Sequence, residues 1–81
     1  MKVRVKLFAA ARELAGRDEL ELELAQRATL ADLRVAIAKA FPALQKITPH
    51  ALWAVDAEYA GDSTIINENS EIAIIPPVSG G

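Results

Sequence analysis

The run Glu71-Ile72-Ala73-Ile74-Ile75, closed by Pro76-Pro77, is apolar from its second residue to its fifth. Such a near-continuous apolar stretch suits a central strand covered on both faces. Proline cannot donate to a strand ladder, so the strand must stop at the pair. The segments upstream are then read as what surrounds it. Asn67-Glu68-Asn69-Ser70 is a turn composition, and Asn69 is a residue type that tolerates a left-handed backbone. Ile65 and Ile66 precede it. Ala51 to Val55 reads as another strand, with Trp53 as a large core residue. Asp56-Ala57-Glu58 reads as the turn that leads to Tyr59 and a short edge segment.

Thr29 opens a helix. It is a good N-cap, and Asp32 stands three residues on, where a capping-box partner sits. Leu30, Leu33, Ile37 and Phe41 follow at spacings of three and four and draw one apolar stripe. Pro42 ends the helix, because the residue before a proline is pushed out of the helical region. Leu44 and Ile47 carry the core through an irregular stretch that ends near Pro49 and His50.

At the other end of the chain, Lys2 to Phe8 alternates with period two. Val3, Val5 and Leu7 lie on one face and Lys2, Arg4, Lys6 and Phe8 on the other. Ala9 to Ala15 is rich in helix formers, and Gly16 follows where a left-handed cap would sit. Glu19 to Leu24 alternates again, and its glutamates suit cross-strand pairing with the basic residues of the first strand. The order of elements places one main amphipathic helix on one face of a mixed sheet, an α+β domain of two layers.

Composition excludes several classes of function. The 81 residues make one domain, and a chain of this size buries only about 60% of the surface its unfolded form exposes. A deep enclosed active site is therefore not expected. There is no cysteine, which removes disulfides, thiolate metal sites and any persulfide on the chain itself. The single histidine, His50, is of the loop type that is ordinarily solvated. Ser63, Ser70 and Ser79 have no base near them in sequence. No metal-ligand cluster is expected, and no catalytic residue of the chain's own. A net charge of −2 gives no electrostatic footprint for nucleic acid. There is no apolar run of about 18 residues, so no membrane span is expected. Strand-like alternation begins at Lys2, so a targeting peptide is not expected either, and a soluble, cytoplasmic protein is.

What remains is the tail. The chain continues as Pro76-Pro77-Val78-Ser79-Gly80-Gly81. A proline pair favours a stiff, extended exit. The four residues beyond it would reach roughly 13 Å if fully extended. Glycine allows close approach to another surface. The reactive group of such a probe is its terminal carboxyl, ionised at neutral pH with a pKa of about 3.3–3.7 and resistant to nucleophiles. It must be activated, for example as an acyl-adenylate made from ATP, before sulfur can replace the leaving group.

The closing run Ile75-Pro76-Pro77-Val78-Ser79-Gly80-Gly81 resembles the ending of the small subunits of molybdopterin synthase, the MoaD family of ubiquitin-like sulfur carriers. Leu7-Phe8-Ala9 with Arg12-Glu13-Leu14 and Gly16 is similar to the family's N-terminal segment. The resemblance covers essentially the whole chain. It implies a β-grasp (ubiquitin-like) domain over residues 1–77 and a C-terminal tail over 78–81. It implies that Gly81 is adenylated by a MoeB-type activating enzyme that uses ATP, then thiocarboxylated. It further implies that Val78, Ser79, Gly80 and Gly81 enter the large subunit, MoaE, and that sulfur passes to cyclic pyranopterin monophosphate. Family members dock through an apolar sheet surface, onto which Phe8, Tyr59 and Ile75 map, and Pro76 and Pro77 are assigned to the same partner interface. The complex implied has two small and two large subunits, with no permanently bound cofactor. Two departures are visible: Ile75 where some members carry phenylalanine, and Asn69 in place of a turn glycine. Sulfur carriers for thiazole or tRNA thiolation share the Gly-Gly end, and a protein modifier or interaction module stands as the alternative from another class.

Overall fold

In the computed structural model, residues 1–76 are described; Pro77, Val78, Ser79, Gly80 and Gly81 lie outside the described residues. The elements run β1 Lys2–Leu7, α1 Ala9–Ala15, β2 Glu19–Glu23, α2 Leu30–Ala40, a 3₁₀ turn Pro42–Leu44, β3 Leu52–Val55, β4 Glu58–Tyr59 and β5 Glu71–Ile75. The five strands form one sheet in the order β2-β1-β5-β3-β4. Only β1 and β5 run parallel; the other neighbours are antiparallel. This is the β-grasp arrangement that the family resemblance implied.

Each strand sends alternate residues to one side. Val3, Val5 and Leu7 of β1, Leu20 of β2, Trp53 and Val55 of β3, and Ile72 and Ile74 of β5 are buried. On the helical layer their counterparts are Leu30, Leu33 and Ile37 of α2, joined by Ala11 of α1 and Leu44 of the 3₁₀ turn. Phe41 and Ile47 are only partly buried.

The start of α2 leaves no orphan donor. Thr29 Oγ1 accepts from the Asp32 N–H at 3.3 Å, and the Asp32 carboxylate accepts from the Thr29 N–H at 2.9 Å. The Leu30 and Ala31 N–H groups donate to the Thr64 and Asp62 carbonyls at 2.9 and 3.1 Å. With the Leu33 N–H closing the first helical turn on the Thr29 carbonyl, the donors every helix start exposes are satisfied. Arg34 also holds the Asp62 carboxylate at 2.9 Å, which pins the 61–64 loop to the helix.

Two short turns aim the sheet. Gly16 caps α1 at φ 71°, a conformation that favours glycine, and its N–H donates to the Arg12 carbonyl. Asp56 and Ala57 join β3 to β4 as a two-residue loop with φ of 52° and 68°. Positive φ at both central residues is the type I′ geometry whose twist matches a hairpin. The Asp56 side chain accepts from the Glu71 N–H at 2.9 Å, and the Asp56 N–H donates to the Glu71 carbonyl at 2.7 Å. The hairpin turn thus fixes where β5 begins.

Two expectations are corrected. β5 is central, between β1 and β3, but it is covered on one face only. Glu71 is exposed, and Ala73 and Ile75 are partly exposed, because the layer formed by α2 lies on the other side. Asn69 has no positive φ: its turn closes instead through the Ser70 N–H on the Asn67 carbonyl, and the Ser70 hydroxyl accepts from the Asn67 N–H at 3.1 Å.

Candidate functional site

The open face of the sheet divides into a charged half and an apolar half. Registers place Glu21, Arg4 and Glu71 in one row across β2, β1 and β5. Lys2 and Arg4 both reach Glu21, at 3.6 and 3.8 Å. Of the glutamates expected to pair with the basic side chains of β1, Glu21 does so. A groove of about 440 Å³ runs over this half, with Lys2, Arg4, Lys6 and Glu71 in its lining.

Past Lys6, which begins it on β1, the next row is apolar, and so is the row beyond it. Lys6, Ala73, Ala54 and Tyr59 follow one another across β1, β5, β3 and β4. Beyond them Ile75 faces Leu52 in register. Phe8 stands two residues past Lys6 in extended backbone, φ −125° and ψ 153°, and so continues the same side of β1. Ala9 then turns with φ 49° into α1, which leaves Phe8 at the margin of the sheet. Phe8 is 49% exposed, Leu52 55% and Tyr59 75%. Large apolar side chains are thus left exposed on one face of the sheet.

Of the residues that the sequence resemblance assigned to docking, the structure brings Phe8, Tyr59 and Ile75 onto one face. Pro76 is buried and adds no surface to it. Pro77 and the tail residues Val78, Ser79, Gly80 and Gly81 lie outside the described residues. Leu52 is the member that sequence reading missed. Its signal was present in the alternation Leu52-Trp53-Ala54-Val55: once Trp53 is assigned to the core, Leu52 and Ala54 must point the other way.

Among the described residues no catalytic constellation accompanies the face. His50 is an exposed turn residue, Ser63 is exposed, and Ser70 is engaged in its own turn. Among the described residues no group of three His, Cys, Asp or Glu side chains is placed to hold a metal ion, and no helix is long and apolar enough to cross a membrane.

Residues 5–81 match the model of the ThiS family. The chain belongs to the ThiS family. This family member is 39% identical over 83 residues to the molybdopterin synthase sulfur carrier subunit of Chlamydomonas reinhardtii, with 100% of both chains covered. It is 37% identical over 81 residues to the Arabidopsis thaliana protein of the same name, covering 100% of this chain and 84% of that one. In structure it is similar to SAMP1 from Haloferax volcanii, at TM-score 0.89 and 29% identity over 100% of each chain. The kinship that the Pro-Pro-Val-Ser-Gly-Gly ending suggested therefore extends along the whole ThiS-family chain.

Proposed function

We propose that the chain is a sulfur carrier and the non-catalytic small subunit of molybdopterin synthase, working in the cytoplasm. The observation that carries the reading is the apolar half-face built around Ile75, the residue at which β5 hands over to the tail. A partner seated on Phe8, Leu52, Tyr59 and Ile75 would receive that tail next to its docking surface. The relatives' description as sulfur carrier subunits of a synthase supports a second, larger subunit as that partner.

The chemistry belongs to the terminal carboxyl of Gly81. Its oxygen attacks the α-phosphate of ATP in a partner adenylating enzyme, and pyrophosphate leaves. A sulfide-level donor then displaces AMP from the acyl-adenylate, giving a thiocarboxylate. The side-chain-free Gly80-Gly81 tip, with Val78 and Ser79 behind it, fits a narrow channel in the large subunit, where the sulfur attacks cyclic pyranopterin monophosphate. As the new C–S bond forms, an oxygen substituent leaves that carbon of the precursor; water then cleaves the acyl–sulfur bond, so that the sulfur stays on the pterin as a thiolate and Gly81 returns as a carboxylate. The dithiolene of molybdopterin holds two sulfurs, so two loaded carriers serve each product, in keeping with a complex of two small and two large subunits. The test is reconstitution of the thiocarboxylated chain with the large subunit and the pterin precursor, beside a chain lacking Gly81. Molybdopterin is expected from the first alone, with the same melting temperature for both. No product from the loaded full-length chain would contradict the proposal.

A second reading is favoured by the likeness to SAMP1, described as a small archaeal modifier protein. In it the activated Gly81 acylates lysine amines. Heavier covalent conjugates of the chain in its own cells, lost when Gly81 is deleted, would support that reading.

A further inference from the structure

Lys6 occupies the boundary between the two halves of the open face. It shares a row with Ala73 and Ala54 and precedes Phe8 by two residues on the same side of β1. The other two cations of the face, Lys2 and Arg4, share the single Glu21 carboxylate as their ion-pair partner. Glu19 is the register partner of Lys6 across β2, yet no carboxylate among the described residues comes within ion-pair distance of the Lys6 ammonium. Lys6 is exposed, and it also lines the groove over the charged half.

An unpaired cation at the rim of an apolar surface is placed to act as a recognition element once a partner covers that surface. When a partner covers the apolar half, the ammonium would sit at the edge of the buried area, partly shielded from water and salt. There it favours an opposing carboxylate and penalises an opposing cation. Rim charges act chiefly on association rate and its salt dependence, while the central apolar anchors hold the complex together.

We propose that Lys6 is the electrostatic contact of the docking face, and that the large subunit presents an aspartate or glutamate to it beside the apolar surface that covers Phe8, Leu52, Tyr59 and Ile75. The inference rests on the docking reading given above. It makes the face bipartite: apolar burial supplies strength, and the Lys6 carboxylate pair supplies orientation and partner choice. The intramolecular explanation, in which Lys6 exists to offset Glu19, leads to a different outcome.

The test measures association and dissociation of the full chain with the isolated large subunit at several salt concentrations. The variants are Lys6→Met, Lys6→Glu and Glu19→Gln. Lys6→Met keeps the length of the side chain and removes its charge; it is expected to slow association roughly two- to fivefold and to flatten its salt dependence. Lys6→Glu is expected to slow association by roughly tenfold; it also sets two carboxylates opposite each other with Glu19, so its melting temperature should fall slightly, while that of Lys6→Met stays unchanged. Glu19→Gln is expected to leave association as fast as in the wild type or faster. Wild-type rates and salt dependence in Lys6→Met would overturn the inference while leaving the docking reading standing. A slowing by Glu19→Gln equal to that of Lys6→Met would assign Lys6 to its own sheet and overturn the inference equally. Failure of the wild-type chain to bind the large subunit at all would overturn the docking reading itself, and the inference with it.

Discussion

Leu52 and Ile75 face each other in register across β3 and β5, on the side of the sheet opposite α2. Leu52 is 55% exposed, and Ile75 is partly so. A leucine left this open costs nothing unusual by itself, since single apolar residues on surfaces are common. Its place beside Ile75, in a row that Phe8 extends, is what turns it into part of a surface.

Leu52→Ser and Phe8→Ala are each expected to weaken binding to the large subunit by about tenfold or more, as truncation of a central apolar anchor does. Both residues are about half exposed, so melting temperatures should move by only a few degrees. Calorimetric titration and thermal unfolding of the same samples check the two halves of this expectation. Unchanged affinity would remove the residue concerned from the interface.

Ala57 holds φ 68° in the type I′ turn, with no glycine or asparagine to suit it. A left-handed conformation costs an alanine about 1 kcal/mol relative to glycine. Ala57→Gly should therefore stabilise the domain by roughly 0.5–1 kcal/mol, the gain being reduced by the added freedom of the unfolded chain. Chemical denaturation measures it directly. Destabilisation would mean that the turn relaxes away from this geometry in solution.

Thr29→Ala removes the Oγ1 acceptor of the Asp32 N–H, one half of the capping box. The expected loss is about 1 kcal/mol. For a domain of this size that corresponds to a drop in melting temperature of roughly 4–8 °C. The Leu30 and Ala31 donors keep the Thr64 and Asp62 carbonyls, so the helix itself should persist by circular dichroism.

The elements with a strict period were legible in the sequence. Val3, Val5 and Leu7 announced their buried side, and Thr29 with Asp32 announced the helix start. Gly16 marked the left-handed cap. What escaped reading depends on tertiary placement. The apolar composition of β5 gives no sign that one of its faces is left open, because an interface awaiting a partner and a buried core draw on the same residue types. Leu52, by contrast, was legible: with Trp53 read as core, the alternation of the strand already put Leu52 on the other face. The left-handed turn at Asp56-Ala57 was legible as a turn but not by its type, since alanine seldom takes a positive φ. Asn69, the residue type better suited to that region, does not use it.

The central claim is that the carboxyl of Gly81 accepts sulfur. With no cysteine in the chain, a thiol-alkylating reagent has no side-chain thiol to attack, so stable labelling reports the thiocarboxylate. The chain is incubated with the adenylating enzyme, ATP and a sulfide donor, then alkylated and fragmented in a mass spectrometer. Fragmentation matters because oxidation of Met1, the one methionine, adds nearly the same mass as exchange of oxygen for sulfur. One label on the fragment that ends in Gly81, absent when ATP is omitted, is the expected result. A chain that stays unlabelled although the same enzyme forms its acyl-adenylate would contradict the account.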